Sequence, residues 1–320
     1  MTTVCIVGAG AIGGYLAAHL AQAGTQVTLV ARGAQLNAIR SCGLTLIENG
    51  AETNYRLRAV GRPADAGPHD VVVLGVKAHQ IAPIAAELPA LLHAGTTVVP
   101  MQNGIPWWYF HGLAGPHEGR RVDAVDPGGA IAAAIPAQSV VGCVVYPACE
   151  IEAPGLIRHV EGNRFPLGEL DGRVTPRIEA LSALFVRAGL KAPVLEDIRS
   201  EIWLKLWGNL AFNPISALTR STLDRICAEP GTRSLAAGMM QEAQQVAESL
   251  GARFRVSIER RIEGAAKVGA HRTSMLQDVE AGRQTEIEAL VGAVIELARL
   301  TATPVPRIEA VYACTRLLAA

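Results

Sequence analysis

A strand, a glycine-rich turn and a helix stand at the very start of the chain, and that succession restricts the fold more than any other feature. Val4–Val7 is a short, wholly apolar run, Gly8-Ala9-Gly10-Ala11-Ile12-Gly13 follows without a spacer, and Ile12–Ala23 is rich in alanine. The spacing is GxGxxG. The first glycine of such a turn permits a tight bend, the second lets backbone approach a pyrophosphate, and the third allows close helix–strand packing. The helix N-terminus adds free N–H groups and the positive end of its dipole. Gly8, Ala9, Gly10, Ala11, Ile12 and Gly13 are therefore predicted to hold a dinucleotide.

Which dinucleotide follows from a missing charge. An NAD site usually carries an acidic residue about 20 residues further on, bound to the ribose 2′-hydroxyl. This chain has no Asp or Glu before Glu48, and its second strand, Gln26–Val30, runs instead into Ala31-Arg32. A guanidinium there can grip a 2′-phosphate bidentately, so NADPH/NADP+ is the expected cofactor. Val71–Val76 and Thr96–Val99 are continuous apolar runs, as in parallel strands covered by helices on both faces. Lys77 and Gln102-Asn103-Gly104 come just past them, where strand ends face a ligand crevice. Each alone also reads as a surface lysine or a plain turn.

The texture changes near residue 197. Ser200–Leu218, Arg233–Leu250 and Thr285–Leu300 are long and helix-periodic, whereas the first half alternates short strand and helix signals, with strand-like pieces at Val140–Tyr146 and Leu156–Val160. The expected architecture is an α/β Rossmann-type doubly wound parallel-sheet domain, residues 1–196, followed by an all-α C-terminal domain, residues 197–320. Lys plus Arg is 29 and Asp plus Glu is 29, so no basic field invites nucleic acid or anionic membrane. The most apolar window, Gly129–Cys149, is interrupted by Pro136, Gln138, Ser139 and Pro147, which excludes a spanning helix there. Six cysteines without a CxxC pair, and no basic stretch before the first apolar run, predict a reduced cytoplasmic protein. With no Cys/His cluster, no metal is expected.

Chemistry concentrates in two later stretches. In Lys205-Leu206-Trp207-Gly208-Asn209-Leu210-Ala211-Phe212-Asn213-Pro214 the polar residues Lys205, Asn209 and Asn213 recur every four positions. On a helix they form one row drifting about 40° per step. Flanked by Trp, Leu and Phe, such groups must find partners or line a wet cleft. Ser274…Gln277 and Thr285…Glu288 both read as helix-capping boxes, which is the structural alternative to a ligand role for Ser274. One straight helix would hold Ser274 and Glu286 about 18 Å apart. Gly282 and the cap signal at Thr285 predict a break that lets both approach one cleft. Trp107-Trp108-Tyr109-Phe110 reads as a pocket wall, as a partner surface or as packing under a loop, the last being the commoner use.

Taken together, GAGAIGG at the start, VKAHQ around Lys77, QNG at 102–104, KLWGNLAFNPISAL from Lys205 and SMLQDVEAGRQTEIE from Ser274 resemble the ketopantoate reductase (2-dehydropantoate 2-reductase) family, in order and across nearly the whole chain. The resemblance implies an NADPH-dependent oxidoreductase that reduces a 2-oxo acid to a 2-hydroxy acid, with the active site between a Rossmann domain and a helical domain. It further implies that the substrate is ketopantoate and the product pantoate, on the route to pantothenate and CoA. By the same resemblance Lys205 is the general acid. Asn209 and Asn213 hold the substrate, Ser274 binds its carboxylate, Asn103 lies near nicotinamide and substrate, and Glu286 contacts the cofactor ribose or the lysine. The chain departs from the family at Leu223, where an asparagine is frequent, which keeps another branched 2-oxo acid or an opine-type reaction in view. A non-catalytic NADP(H)-responsive binding protein is the alternative of another class, opposed by the intact polar set. An apolar helical domain permits a homodimer without requiring one.

Overall fold

The computed structural model describes residues 2–318. It divides into two compact units. One comprises the described residues up to Gln102 together with Phe110–Arg121 and Gly128–Ile198; the other comprises Asn103–Tyr109, Val122–Pro127 and everything described from Arg199 onward.

The strands of the first unit, in chain order, are β1 (Thr3–Val7), β2 (Gln26–Val30), β3 (Leu44–Glu48), β4 (Ala51–Tyr55), β5 (Arg58–Val60), β6 (Val71–Leu74), β7 (Thr97–Pro100), β8 (Val141–Cys143), β9 (Ala148–Ala153), β10 (Leu156–Glu161) and β11 (Leu167–Glu169). The main sheet runs β5-β2-β1-β6-β7, and every pair in it is parallel. Strand order reverses direction at β1, so the glycine turn after β1 sits at the switch point where such sheets open a crevice. β1, β2, β6 and β7 are buried almost throughout, as the unbroken apolar runs required. The strand signal at Val140–Tyr146 shrinks to β8: the Val144 and Tyr146 N–H groups still bond Pro166 and Arg164 in the same register, but Pro166 has no N–H to donate back.

Two features of this unit have weak sequence signals. The crossover from β6 to β7 is built of 3₁₀ turns, Ala78–Gln80 and Ala82–Leu91, where Pro83 and Pro89 lack the N–H groups an α-helix needs. A second sheet, β4-β3-β10-β9, packs on the helix Ala11–Gln22. A Cβ on Gly14 would lie 2.8 Å from Ile157 of β10, so the glycine following the GxGxxG run lets that sheet press against the helix. β4, Ala-Glu-Thr-Asn-Tyr, has no apolar run and is largely exposed, so it lacks the signal of a buried strand.

In the second unit every regular element among the described residues is helical. The helix Ile198–Thr219 buries Ile202, Trp203, Leu206, Trp207 and Leu210 at i, i+3 and i+4 spacing, leaving Lys205 and Asn209 half-buried. The Trp203 indole donates to the Tyr109 hydroxyl at 2.7 Å and the Trp207 indole to the Met240 carbonyl at 2.6 Å. Both buried indoles are thereby satisfied. Two carboxylates fasten backbone: Glu242 accepts from the N–H groups of Arg307 and Ile308, capping the helix Pro306–Arg316, and Glu296 accepts from those of Asp123 and Ala124. No helix among the described residues is long and apolar enough to cross a membrane.

Candidate functional site

In the first unit the glycine run does three separable jobs. Gly8 has φ +105°, and a Cβ there would lie 2.7 Å from the Val76 side chain and 2.8 Å from its backbone N. A Cβ on Gly13 would overlap the Gly8 carbonyl oxygen. Gly10 differs: a Cβ there meets nothing within 4 Å. The space over Gly10 belongs to no protein atom, and Gly10 is also the N-cap of Ala11–Gln22, with no side chain capping the helix. Backbone N–H groups facing an open space at a helix N-terminus suit the pyrophosphate of a dinucleotide. Ala9 is held from behind, its carbonyl accepting from Gln35 Nε2 at 2.7 Å, while Ala11 and Ile12 are half-buried beside the turn.

Arg32 follows β2 and is exposed, at the N-cap position of the helix Gly33–Cys42. Lys77, half-buried, opens the 3₁₀ turn after β6, and its N–H donates to Gln80 Oε1 at 3.1 Å. Between the strand ends lies a residue without an assigned task in the sequence reading. Gln102 donates from Nε2 to the carbonyls of Leu74 at 2.7 Å and Val76 at 2.8 Å, and its Oε1 is buried with no hydrogen-bond partner. Its placement two residues past β7 is the signal that could have found it.

The second unit gathers the remaining polar residues. Lys205 Nζ donates to Asn103 Oδ1 at 2.6 Å, and Asn103 Nδ2 donates to Glu286 Oε2 at 3.3 Å. Asn213, only 6% exposed, approaches Ser274 Oγ with its Nδ2 at 3.5 Å. Asn209 sits between them on the helix, half-buried. The sequence-predicted set thus forms two linked groups, Lys205–Asn103–Glu286 and Asn213–Ser274, on the helix Ile198–Thr219 and segments packed on it. A cation, an amide and a carboxylate in series can hold a proton donor in a fixed direction. An amide and a hydroxyl side by side can bind a carboxylate or hydroxyl.

Two capping readings in this region change, and two other expectations hold. Ser274 does not cap its helix: the N-cap is Thr273, whose hydroxyl accepts from the Leu276 N–H at 3.3 Å, and Ser274 is the first helical residue. The cap goes to the residue whose Oγ1 faces the free Leu276 N–H, one position before the one that the capping-box spacing picks out. Thr285 does not cap either; its hydroxyl is buried without a partner, and the helix that follows opens with a π turn, Glu288–Gly292. The break itself is present: the helix Ser274–Glu280 ends in a turn at Gly282, φ +62°, and helix resumes only at Ile287. Trp107, Trp108, Tyr109 and Phe110 are each at most 4% exposed, so the aromatic run is packing rather than surface. The Cys149 thiol is pushed up to about 12 by burial and by the nearby Glu48, and Cys5 to about 12 by burial, so neither is a thiolate near neutrality.

A parallel sheet with a glycine turn at its switch point, together with a half-buried Lys–Asn–carboxylate series whose lysine stands on a helix, is the equipment of a nicotinamide-dependent oxidoreductase. Comparison with known proteins agrees. Residues 4–111 match the family Ketopantoate reductase PanE/ApbA, and residues 197–319 match Ketopantoate reductase PanE/ApbA C terminal. A 2-dehydropantoate 2-reductase of Mesorhizobium japonicum is 59% identical over 317 residues, covering 99% of this chain and 97% of that one. Among solved structures, a ketopantoate reductase candidate from Ralstonia solanacearum superposes with a TM-score of 0.95 at 44% identity, over 99% of this chain and 98% of that one. A 2-dehydropantoate 2-reductase from Geobacter metallireducens gives 0.86 at 27% identity, over 98% and 99%. The chain belongs to the ketopantoate reductase family of oxidoreductases.

Proposed function

We infer that the chain reduces 2-dehydropantoate to pantoate with NADPH, in the cytoplasm, on the route to pantothenate. The observation that carries this reading is the Lys205 amine held at 2.6 Å by Asn103 on the helix that also carries Asn209 and Asn213. Gly8–Gly13 would hold the dinucleotide, with Arg32 on its 2′-phosphate and Lys77 alongside, and the group would supply the hydride that the C2 carbonyl carbon needs. Lys205 donates a proton to the carbonyl oxygen as negative charge develops there, giving the 2-hydroxy acid, and its neutral amine takes a proton back from water. Asn103 fixes the direction of the amine; Glu286 fixes Asn103. Ser274, freed from capping duty by Thr273, and Asn213 bind the substrate carboxylate, with Asn209 adding a donor one turn along.

Leu223 supports one second reading. It is 9% exposed, an apolar side chain at a position where the family frequently has an amide. That change favours a substrate with a more apolar branch than 2-dehydropantoate. NADPH oxidation across a panel of branched and aromatic 2-oxo acids separates the two. The reading stands if 2-dehydropantoate gives the highest kcat/KM, shifts to another 2-oxo acid if that acid wins, and fails if none is turned over while NADPH binds.

A further inference from the structure

Glu288–Gly292 is a π turn at the start of an otherwise α-helical segment that continues through Ala293–Leu300. In an α-helix the Ala293 N–H would bond the Ala289 carbonyl; here it bonds the Glu288 carbonyl, five residues back. The Ala289 oxygen accepts instead from the N–H of Ile105, at 3.0 Å. Ile105 and Ala289 are 1% and 2% exposed, so this bond is made in a dry environment where losing it is costly. Gly104 makes the approach possible. Its φ is +91°, and a Cβ there would overlap the Ala289 carbonyl oxygen and lie 2.5 Å from its carbon.

The π turn has its own fastening. Its first residue, Glu288, folds its carboxylate back over Gly292, where a Cβ would sit 2.5 Å from Oε2. The same Oε2 accepts from the Tyr312 hydroxyl at 2.7 Å. Tyr312 lies on the helix Pro306–Arg316, and Arg316 of that helix reaches Glu288 Oε1 at 3.7 Å. The Tyr312 phenol is pushed up to about 12 by burial and by this carboxylate, so it remains a donor over any working pH.

We propose that the π turn is the positioning element of the candidate catalytic series, with Gly104 and Tyr312 as positioning residues. Asn103 is the residue before Gly104, and Glu286 lies just ahead of the π turn. The Ile105–Ala289 bond therefore ties together the two backbones that carry Asn103 and Glu286, and through Asn103 it sets the direction of the Lys205 amine. A regular α-helix at 288–292 would withdraw the Ala289 oxygen and take the backbone tie away from the 3.3 Å bond between Asn103 and Glu286. Neither Gly104 nor Tyr312 touches the reacting atoms; both act through Asn103.

This inference rests on the function proposed above, and its test has one readout that does not. Gly104→Ala and Tyr312→Phe are compared with the unaltered protein for kcat, substrate KM, NADPH Kd, Tm, and the rate at which trace acetic anhydride labels Lys205. Gly104→Ala is expected to lower kcat about 100-fold, as misplacement of a catalytic group by roughly 1 Å does. Tyr312→Phe, which removes one hydrogen bond to a charged acceptor, is expected to lower kcat about threefold to tenfold. In both, substrate KM and NADPH Kd stay within about twofold, because uniform binding is untouched. Lys205 labelling rises in both as Asn103 lets go. A folded Tyr312→Phe protein with unchanged kcat and unchanged labelling overturns the proposal, and decides the matter alone if Gly104→Ala does not fold. If the unaltered protein turns over no 2-oxo acid, the function falls, and the labelling ratio still decides whether the π turn positions Lys205.

Discussion

The glycine turn of the first unit and the lysine cluster of the second are built in opposite ways. Gly8–Gly13 works by what is missing: no side chain crowds the turn, and an open space is left over Gly10. Its shape comes from six consecutive residues and tolerates no Cβ at Gly8 or Gly13. The cluster works by what is present. Lys205, Asn103, Glu286, Asn213 and Ser274 come from three distant stretches, and Asn103 and Glu286 are 183 residues apart in sequence. The turn is rigid because backbone blocks backbone. The cluster is held because each amide and hydroxyl has a partner, and one end of it depends on a π turn. A site made of backbone is broken by adding atoms, and a site made of side chains by removing them.

The largest test of that contrast removes the amine. Lys205→Ala should lower kcat by about 10²–10⁴-fold, the usual contribution of a general acid. NADPH binding, measured by fluorescence titration, should stay near normal, since the glycine turn is unaltered. Lys205→Arg should recover little, because a guanidinium keeps its proton near neutral pH. A near-normal kcat in the alanine variant would remove Lys205 from the mechanism.

Adding one methyl group at two places in the same motif sharpens the comparison. Gly13→Ala forces a Cβ into the Gly8 carbonyl and should cost about 1–3 kcal/mol of stability, read as a fall in Tm, along with NADPH binding. Gly10→Ala meets no protein atom, so Tm should hold while NADPH binding weakens. Equal Tm losses in the two variants would mean that the space over Gly10 is not a ligand's.

Arg32 tests whether a side chain adds to the backbone site. Loss of a charge-assisted contact costs about 1.5–3 kcal/mol, so Arg32→Ala should raise the NADPH KM about tenfold or more and leave NADH unchanged. Parallel losses with both cofactors would sink the 2′-phosphate assignment.

The smallest effects separate two neighbours. Thr273→Ala removes the helix cap and should cost about 1 kcal/mol of stability with little change in kinetics. Ser274→Ala should do the reverse, raising the KM for 2-oxo acids while Tm stays put. A kinetic defect confined to Thr273→Ala would exchange the two roles.

Contiguity explains what could be read without coordinates. The β1–turn–helix unit, the parallel strands and the Lys205/Asn209/Asn213 row are local patterns, visible as runs and spacings. Ser274 reads as either cap or ligand because Ser274…Gln277 has capping-box spacing, whereas the residue that caps, Thr273, has Leu276 three positions on and so lacks that signal. The second sheet has no contiguous signal, because β4 is short and largely exposed and β10 pairs with β3 across more than a hundred residues. The π turn has no sequence signature: Glu288–Gly292 reads as ordinary helix, and its reason lies in Ile105, far upstream.

The segment Asn103–Tyr109 also has a history during synthesis. It leaves the first unit's sheet to pack with residues made much later, its Tyr109 hydroxyl bonding Trp203 and its Asn103 bonding Glu286. At roughly 5–20 residues per second, Asn103 leaves the ribosome about 10–40 s before Glu286 does. For that interval Trp107 and Trp108, each nearly fully buried in the finished protein, have no completed core to enter. The half-made chain carries an apolar aromatic patch that a chaperone can hold, and slowed translation of the second half lengthens its exposure.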